Sequence, residues 1–170
     1  MQSFIVLLLS FFCIRPVYAV EWNDFTPLIK AVTKESTSPY AIESLILNDG
    51  DVNAVDDQGR SVLMLASMYH PDPLVHYLLI QGGAEVNARM RDNGKTALFF
   101  AVQYNPNPKV VSLLLNYGAD QNIKDVFGRT AYDYAERNPK LKGSVVLSLF
   151  HKHHEDDQED DASSASAASR

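Results

Sequence analysis

The side chains best suited to chemistry in this sequence lie near its end, where three histidines precede a run of acids. His151, His153 and His154 are followed by Glu155 and Asp156, and imidazole with carboxylate is a ligand set for copper, nickel or zinc. A metal site needs ligands held in a fixed geometry. Residues 151–170 contain no large apolar side chain that could supply such a scaffold. We therefore expect a disordered, solvated tail here.

Two other histidines, His70 and His76, lie within the apolar part of the chain. No serine or cysteine stands near them in a triad-like pattern, so we expect partly exposed structural residues and not general bases. Gly82 and Gly83 follow an apolar stretch and are read as a helix terminator, not as a phosphate-binding loop. The sequence thus predicts no catalytic residue, no enzyme activity and no cofactor.

The composition sets the broad class of the protein. With 170 residues and a hydrophobic fraction of 46%, the chain has room for one folded domain with short appendages. Acidic residues outnumber basic ones by 21 to 15, which argues against nucleic acid as a partner because phosphate binding needs a basic face. The single cysteine excludes an intramolecular disulfide framework.

The first nineteen residues have the pattern of a secretory signal peptide. Residues 4–14 form an apolar run that would rise about 16 Å as a helix, short of the roughly 30 Å core of a bilayer. Arg15 and Pro16 end the run, and Val17 and Ala19 are small residues at the −3 and −1 positions of a cleavage site. We expect cleavage after Ala19, export to a periplasm or beyond, and no stable membrane insertion afterwards. A buried or membrane-anchoring helix is the alternative.

An internal repeat organises the remainder of the chain. A hydroxyl residue opens an apolar stretch four times, at spacings of 35, 35 and 34 residues, and an alanine follows each hydroxyl at the fifth place. The hydroxyls are candidate helix N-caps, and the alanines would let neighbouring helices approach closely. The hydroxyl residues are Thr26, Ser61, Thr96 and Thr130, and the alanines are Ala31, Ala66, Ala101 and Ala135.

A second helix is predicted inside each unit, because a capping residue precedes a proline there. Proline is favoured at the first helical position, and it follows Ser38, Asp72, Asn107 and Asn138. The first three units then reach a glycine, which predicts a left-handed helix cap. These glycines are Gly50, Gly83 and Gly118, and an Asp/Glu-x-Asn motif follows each of them.

The unit closes with a turn before the next hydroxyl. Gln58-Gly59, Asn93-Gly94 and Phe127-Gly128 are turn signals between short extended segments. The segment 87–94 holds one residue more than its equivalent 53–59. We therefore expect three hairpin-like loops, of which the middle one is longer.

Helix, turn, helix and hairpin loop at this period resemble the ankyrin repeat. The motifs that carry the resemblance are Thr26-Pro27-Leu28, the Gly-Ala-Glu-Val-Asn that begins at Gly83 and the Gly-Ala-Asp-Gln-Asn that begins at Gly118. It covers about residues 24–150 and departs from the usual repeat in placing Pro where Gly-His is common, as in bacterial ankyrin proteins. The resemblance implies an all-α repeat solenoid with β-hairpin loops, and about four units at 24–57, 58–92, 93–126 and 127–150. The predicted domains are a signal peptide (1–19), the repeat domain (20–150) and the tail (151–170).

The resemblance also implies a function. Ankyrin proteins bind partner proteins on a concave face made of hairpin tips and first helices, so we expect a monomeric, non-catalytic interaction module outside the cytoplasm. Tyr69 and Tyr104 occupy equivalent places in successive units, where they could contact a partner or shield the groove between helices. The candidate partner-binding residues are Asp57, Gln58, Arg60, Met68, Tyr69, Arg91, Asp92, Asn93, Lys95, Gln103, Tyr104, Val126, Phe127, Arg129 and Arg137.

A metal-handling protein is the alternative function. In that case the repeats would be a carrier, and the active part would be the tail with His151, His153 and His154. Deletion of residues 151–170 separates the two hypotheses, because only the metal-handling hypothesis predicts that the deletion abolishes metal binding.

Overall fold

The repeat produces a stack of paired helices. The computed structural model describes residues 26–48, 50–142, 145 and 147–150; the predicted signal peptide and tail lie outside these residues. Within them the chain is helical, without a β-strand, which confirms the all-α repeat solenoid. The helices are α1 Pro27–Val32, α2 Pro39–Leu47, α3 Val62–Tyr69, α4 Pro73–Gln81, α5 Ala97–Tyr104, α6 Pro108–Asn116 and α7 Ala131–Arg137, and residues 145 and 147–150 are also helical.

The four hydroxyl residues occupy the predicted N-cap positions of α1, α3, α5 and α7. The side chains of Thr26, Ser61 and Thr130 each accept a hydrogen bond from a backbone amide in the first helical turn. The cap bond predicted for Thr96 is wrong, because its hydroxyl is buried and has no hydrogen-bond partner among the described residues. The start of α5 is therefore fixed by packing and not by its cap.

Three of the four predicted proline starts are confirmed. Pro39, Pro73 and Pro108 are the first residues of α2, α4 and α6. The helix expected at Pro139 is wrong, since the chain forms a turn over residues 139–142. The amides of residues 141 and 142 both donate to the carbonyl oxygen of Asn138, which closes one turn at this position.

The glycine caps are confirmed at two of three positions. Gly83 and Gly118 have φ angles of 95° and 83°, in the left-handed region that glycine enters without strain. Gly50 is not in that region, so the cap predicted there is wrong. A Cβ at Gly50 would instead collide with the carbonyl oxygen of Leu45, and close backbone approach explains the glycine.

The core runs without interruption through the stack. First helices pack in the order α1, α3, α5, α7, and second helices pack in the order α2, α4, α6. The alanines at the fifth place of each unit are all buried, which is consistent with the close approach that their small side chains permit. Leucine fills the spaces between helices, and Leu63, Leu79 and Leu114 are fully enclosed.

Asparagine side chains connect each unit to the next at the ends of the second helices. Asn53 donates from Nδ2 to the carbonyl oxygen of Gly83 (3.0 Å) and accepts the amide of Glu85 on Oδ1 (2.9 Å). Asn87 makes the same two bonds to Gly118 and Asp120, both at 2.8 Å. The Asp/Glu-x-Asn motif therefore fixes the register between units.

A second set of inter-unit bonds lies at the Pro-containing turns. Asn105 is buried and donates from Nδ2 to the carbonyl oxygens of Ser67 and His70, each at 3.0 Å. Asn138 also donates from Nδ2, to the carbonyl oxygen of Val102 in α5. The His70 ring donates from Nε2 to the carbonyl oxygen of Thr37 (3.1 Å). The residue that ends each of these first helices thus binds the preceding unit.

Truncation of the core leucines tests the stacking. Leu79→Ala and Leu114→Ala should each lower the free energy of unfolding by about 2–5 kcal/mol, because both side chains are fully buried and the cavity collapses only in part. Leu47→Ala is the matched control, since that side chain is 77% exposed, and it should cost less than about 0.5 kcal/mol. Urea unfolding followed by circular dichroism measures all three. Equal costs at buried and exposed positions would contradict the assigned core.

Candidate interaction surface

Three loop tips and the C-terminal ends of α3, α5 and α7 carry the candidate residues; we call this surface the tip face. Its loops span residues 56–60, 90–95 and 125–129. In each loop the amide of the first residue donates to the carbonyl oxygen of the last: Asp56 to Arg60 (3.0 Å), Met90 to Lys95 (2.9 Å) and Asp125 to Arg129 (2.9 Å). The middle loop is one residue longer, as predicted. The expected hairpins are reduced to turns, with one isolated antiparallel bridge between Val55 and Ser61 among the described residues.

A buried carboxylate holds the first loop in shape. The amides of Gln58 and Arg60 donate to Asp56 Oδ1 at 3.0 and 2.8 Å, and the Arg60 guanidinium contacts Oδ2 at 2.6–2.7 Å. The Asp56 side chain is only 2% exposed. Charge-assisted bonds of this kind are stronger than neutral ones, so the tip is rigid before any partner arrives.

The third loop repeats this arrangement and adds a tyrosine. Asp125 Oδ1 accepts the amides of Phe127 and Arg129, both at 2.9 Å, while Oδ2 accepts the Tyr134 hydroxyl at 2.6 Å and the Arg129 guanidinium at 3.3 Å. Burial acts to raise the pKa of Asp125, but these hydrogen bonds outweigh it, and the pKa is lowered. Burial and the bond to Asp125 raise the pKa of Tyr134. The pair is therefore a charged acceptor and a neutral donor.

The middle loop breaks the pattern, because Met90 stands where the other loops have aspartate. The equivalent basic residue, Lys95, is half-buried and forms no ion pair among the described residues. Its Nζ donates to Gln103 Oε1 (2.9 Å) and lies 4.3 Å from the centroid of the Tyr134 ring. Desolvation lowers the pKa of Lys95, Asp125 opposes this shift, and Arg129 adds to it.

A hollow of about 300 Å³ opens beside the first loop. Its floor is apolar, from Ile29 and Leu65, and the Tyr69 ring forms one wall. Lys30 and the Asp56–Arg60 pair also line it. The hollow lies between α1 and α3, at the N-terminal end of the described stack.

All fifteen candidate residues are exposed or half-buried, so each can meet solvent or a partner. Four pairs among them are in contact. Lys95 donates to Gln103 through its side chain and to Asn93 Oδ1 through its amide (3.0 Å), the Arg129 guanidinium lies over Phe127 (4.8 Å to the ring centroid), and the Val126 amide donates to the Asn93 carbonyl oxygen (3.0 Å). The exposed residues are Asp57, Gln58, Tyr69, Arg91, Asp92, Tyr104, Val126, Phe127 and Arg137, and the half-buried ones are Arg60, Met68, Asn93, Lys95, Gln103 and Arg129.

The two candidate tyrosines do not have the same surroundings. Tyr69 and Tyr104 end α3 and α5 and are 45% and 52% exposed. Tyr69 lines the hollow, whereas the Tyr104 ring stacks on Phe100 of its own helix at 6.3 Å between centroids. Tyr69 therefore borders a concave feature, and Tyr104 does not line that hollow.

Sequence reasoning missed the residues that organise the tip face. Asp56, Met90, Asp125 and Tyr134 were not among the candidates, although the three loop positions align. A signal for the loop residues exists: aspartate stands four places before the basic residue in the first and third loops and is missing in the second. No comparable signal marks Tyr134, because its role depends on a contact with the preceding loop.

Exposed apolar side chains also occur on the second helices. Both ion pairs found among the described residues lie on the tip face and not beside these side chains, and Tyr77 contacts Tyr117 edge-on at 5.9 Å. The residues of this group are Tyr40, Leu47, Leu74, Tyr77 and Tyr117. They form a competing surface against which any binding experiment must be controlled.

The expected exposure of His70 and His76 is wrong, because both are buried. His70 is enclosed by the inter-unit bonds of its turn. His76 donates from Nδ1 to the carbonyl oxygen of Asp72 (3.0 Å), and its Nε2 has no partner among the described residues. Burial disfavours the imidazolium and lowers the pKa of His76 to about 4 from 6.5.

Stability should therefore fall in acid. In the unfolded chain His76 takes up a proton below pH 6.5, whereas in the folded chain it stays neutral until about pH 4. The free energy of unfolding should therefore drop between these two pH values, by up to about 3 kcal/mol. His76→Asn keeps a donor towards Asp72 but removes the titration, and it should flatten this part of the profile. Urea titrations between pH 4 and 7.5 compare the two proteins. Identical slopes would show that His76 is not the source.

Neither a metal centre nor a membrane span is found in the part of the chain that the structure describes. No group of three His, Cys, Asp or Glu side chains there could hold a metal ion. No helix among these residues is long and apolar enough to cross a bilayer. The candidate metal site at His151, His153 and His154 lies outside the described residues.

A family model described as ankyrin repeats in three copies matches residues 72–160. No curated protein was found to match the chain.

Proposed function

The chain belongs to the ankyrin-repeat family, and from that premise we propose that it captures a partner protein through the tip face, outside the cytoplasm, and catalyses no reaction. Ankyrin repeats are protein–protein interaction modules and typically act as non-catalytic scaffolds. The tip face corresponds to the side that the family resemblance identifies as concave.

The observation that carries this proposal is the hydrogen-bond network that holds the first and third tip loops in shape. Asp56 and Asp125 each accept two amides and a guanidinium of their own loop. Neighbouring tips are joined by the bond from the Val126 amide to the Asn93 carbonyl oxygen. A surface ordered in advance loses less conformational entropy on binding, so this arrangement favours recognition of a partner.

The side chains that these loops present are suited to a binding interface. Phe127 is 72% exposed although it is large and apolar, and the Arg129 guanidinium lies over its ring. Tyrosine and arginine are the residue types most enriched in binding hot spots, and Tyr69 and Arg60 line the same hollow. The tip face therefore offers aromatic anchors beside cations that are held in place.

Alanine variants of the two faces test the assignment. Arg60→Ala, Tyr69→Ala, Lys95→Ala, Tyr104→Ala and Arg129→Ala should each weaken binding by about 1–2 kcal/mol, because hot-spot side chains dominate an interface. The tyrosine variants should act mainly on the dissociation rate and the Lys95 variant on the association rate and its salt dependence. The partner is first isolated from native extracts with the protein as bait, and surface plasmon resonance then gives the rates.

The control set lies on the second helices. Glu43, Lys109 and Ser112 are exposed or half-buried there, and Tyr40 adds an aromatic that is 78% exposed. Alanine at these positions should leave the affinity unchanged. If this set weakens binding and the tip set does not, the partner uses the second-helix surface and the proposal is wrong. Circular dichroism of every variant separates loss of binding from loss of folding.

Export is the second part of the proposal, and it rests on sequence. The apolar run of residues 4–14 and the Val17-Tyr18-Ala19 site favour a signal peptide. The mature protein is therefore expected to begin at Val20 and to occur in the periplasm or the medium. Intact-mass spectrometry of the protein from its native host, with cell fractionation, measures both. An intact N-terminus on protein from the cytoplasmic fraction would contradict export while leaving the binding proposal in place.

A further inference from the structure

The middle loop of the tip face departs from its neighbours in a way that creates a site for an anion. In the first and third loops a buried aspartate neutralises the basic residue four places later, at 2.6 Å for Asp56 with Arg60 and 3.3 Å for Asp125 with Arg129. In the middle loop Met90 takes the place of the aspartate. Among the described residues, Lys95 therefore forms no ion pair with its own loop, in contrast to Arg60 and Arg129.

The Lys95 ammonium has donors that are not used by the described residues. An ammonium has three donors, and among the described residues one of them meets Gln103 Oε1. Asp125, the acid whose charge acts on Lys95, already accepts four donors: two amides, the Tyr134 hydroxyl and the Arg129 guanidinium. A carboxylate has about four acceptor sites, so Asp125 has none left for Lys95. Two cations therefore lie beside the Tyr134 ring: Lys95 Nζ is 4.3 Å and the Arg129 guanidinium carbon 4.6 Å from the ring centroid. The carboxylate that acts on both, Asp125, has no free acceptor site.

The hollow beside the first loop selects for a different group. Its Ile29 and Leu65 floor favours an apolar side chain, and a volume of about 300 Å³ is at the lower end for ligand pockets. Asp56 accepts four donors there, two amides and two guanidinium nitrogens, and is saturated as well. Lys30 lines the same hollow. A cationic ligand is therefore disfavoured, and a single leucine or phenylalanine side chain fits.

The stack fixes the separation between the two features. The hollow lies between α1 and α3, whereas Lys95 contacts Gln103 of α5 and Tyr134 of α7. First helices pack in the order α1, α3, α5, α7, and packed helices lie about 8–10 Å apart. The two features are thus about 16–20 Å apart, the span of five or six residues of extended chain.

We propose that the tip face binds an extended segment of the partner protein that carries one large apolar side chain for the hollow and, five or six residues away, an Asp or Glu for Lys95. The inference rests on the proposed function and specifies its ligand. Charge complementarity selects the acid, and the apolar floor selects the anchor. The Lys95–Tyr134–Arg129 cluster holds the carboxylate, while Asp56 and Asp125 have no acceptor site left for a basic segment.

A phage-displayed library of random twelve-residue peptides, panned on the purified protein, tests the specificity directly. Recovered peptides should be enriched in Asp or Glu and in a single Leu or Phe at a separation of five or six residues. The consensus peptide, labelled with fluorescein, then gives dissociation constants by anisotropy. Lys95→Gln should weaken it about tenfold, the size of one well-placed charge pair, and Tyr69→Ala should weaken it by a similar factor.

Matched controls and contrary outcomes are available. Lys109→Gln makes the same charge change on the second-helix surface, and Tyr40→Ala makes the same truncation there; neither should alter the affinity. Panning on Lys95→Gln should remove the acidic preference and keep the apolar one. The proposal is overturned if no peptide is enriched, if basic peptides are recovered, or if Lys109→Gln weakens binding as much as Lys95→Gln. A native partner that still depends on the tip set would then leave the proposed function standing while this ligand assignment fails.

Discussion

The close packing of the first helices is the constraint on which the rest of the molecule depends. One unit of two short helices cannot bury its own apolar side chains, and only a neighbouring unit completes the core. The buried alanines Ala66, Ala101 and Ala135 leave room for this neighbour on α3, α5 and α7. Because these helices are held side by side, their C-terminal ends and the loops before them are brought to one surface. The tip face is therefore a consequence of how the core is packed.

Directional hydrogen bonds supplement the non-directional packing. Apolar burial tolerates small sliding movements of one unit on the next, but the bonds from Asn53 and Asn87 to the following units do not. Asn105 opposes sliding from the other end of the helices, where it donates to two carbonyl oxygens of the preceding unit. Buried polar groups are costly when unpaired and specific when paired. These bonds thus set the spacing of the tips, on which recognition by several loops at once depends.

The tip face combines neutralised and unneutralised cations on one rigid frame. Asp56 and Asp125 hold their loops in shape and form ion pairs with Arg60 and Arg129. Met90 cannot form such an ion pair in the middle loop, and Lys95 instead extends towards Gln103 and the Tyr134 ring. Partial burial makes a charge more sensitive to its neighbours than it would be in water. A surface of this kind discriminates between ligands by charge while its shape is maintained by the adjacent loops.

The sequence by itself determined the period, the helix starts and the fold family, because these depend on local signals. A hydroxyl or proline acts on the amides and φ angles of its own first turn, and Ser61, Thr130, Pro73 and Pro108 were therefore read correctly. Tertiary structure decided the exceptions. Thr96 lost its cap bond on burial, and Gly50 is required by a carbonyl oxygen and not by a left-handed φ.

The candidate site also divides into features that the sequence indicates and features that only the tertiary structure decides. The accessibility of the fifteen candidate residues could be expected from the alignment of units, because equivalent places in a repeat face the same way. The burial of His70 and His76 and the position of Tyr134 over Asp125 could not. Asn105 reaches a carbonyl 38 residues away, and no local pattern marks such a partner. Whether a polar side chain meets water, a neighbouring unit or a cation is decided only when the helices stack, because burial is a property of the neighbours and not of the residue.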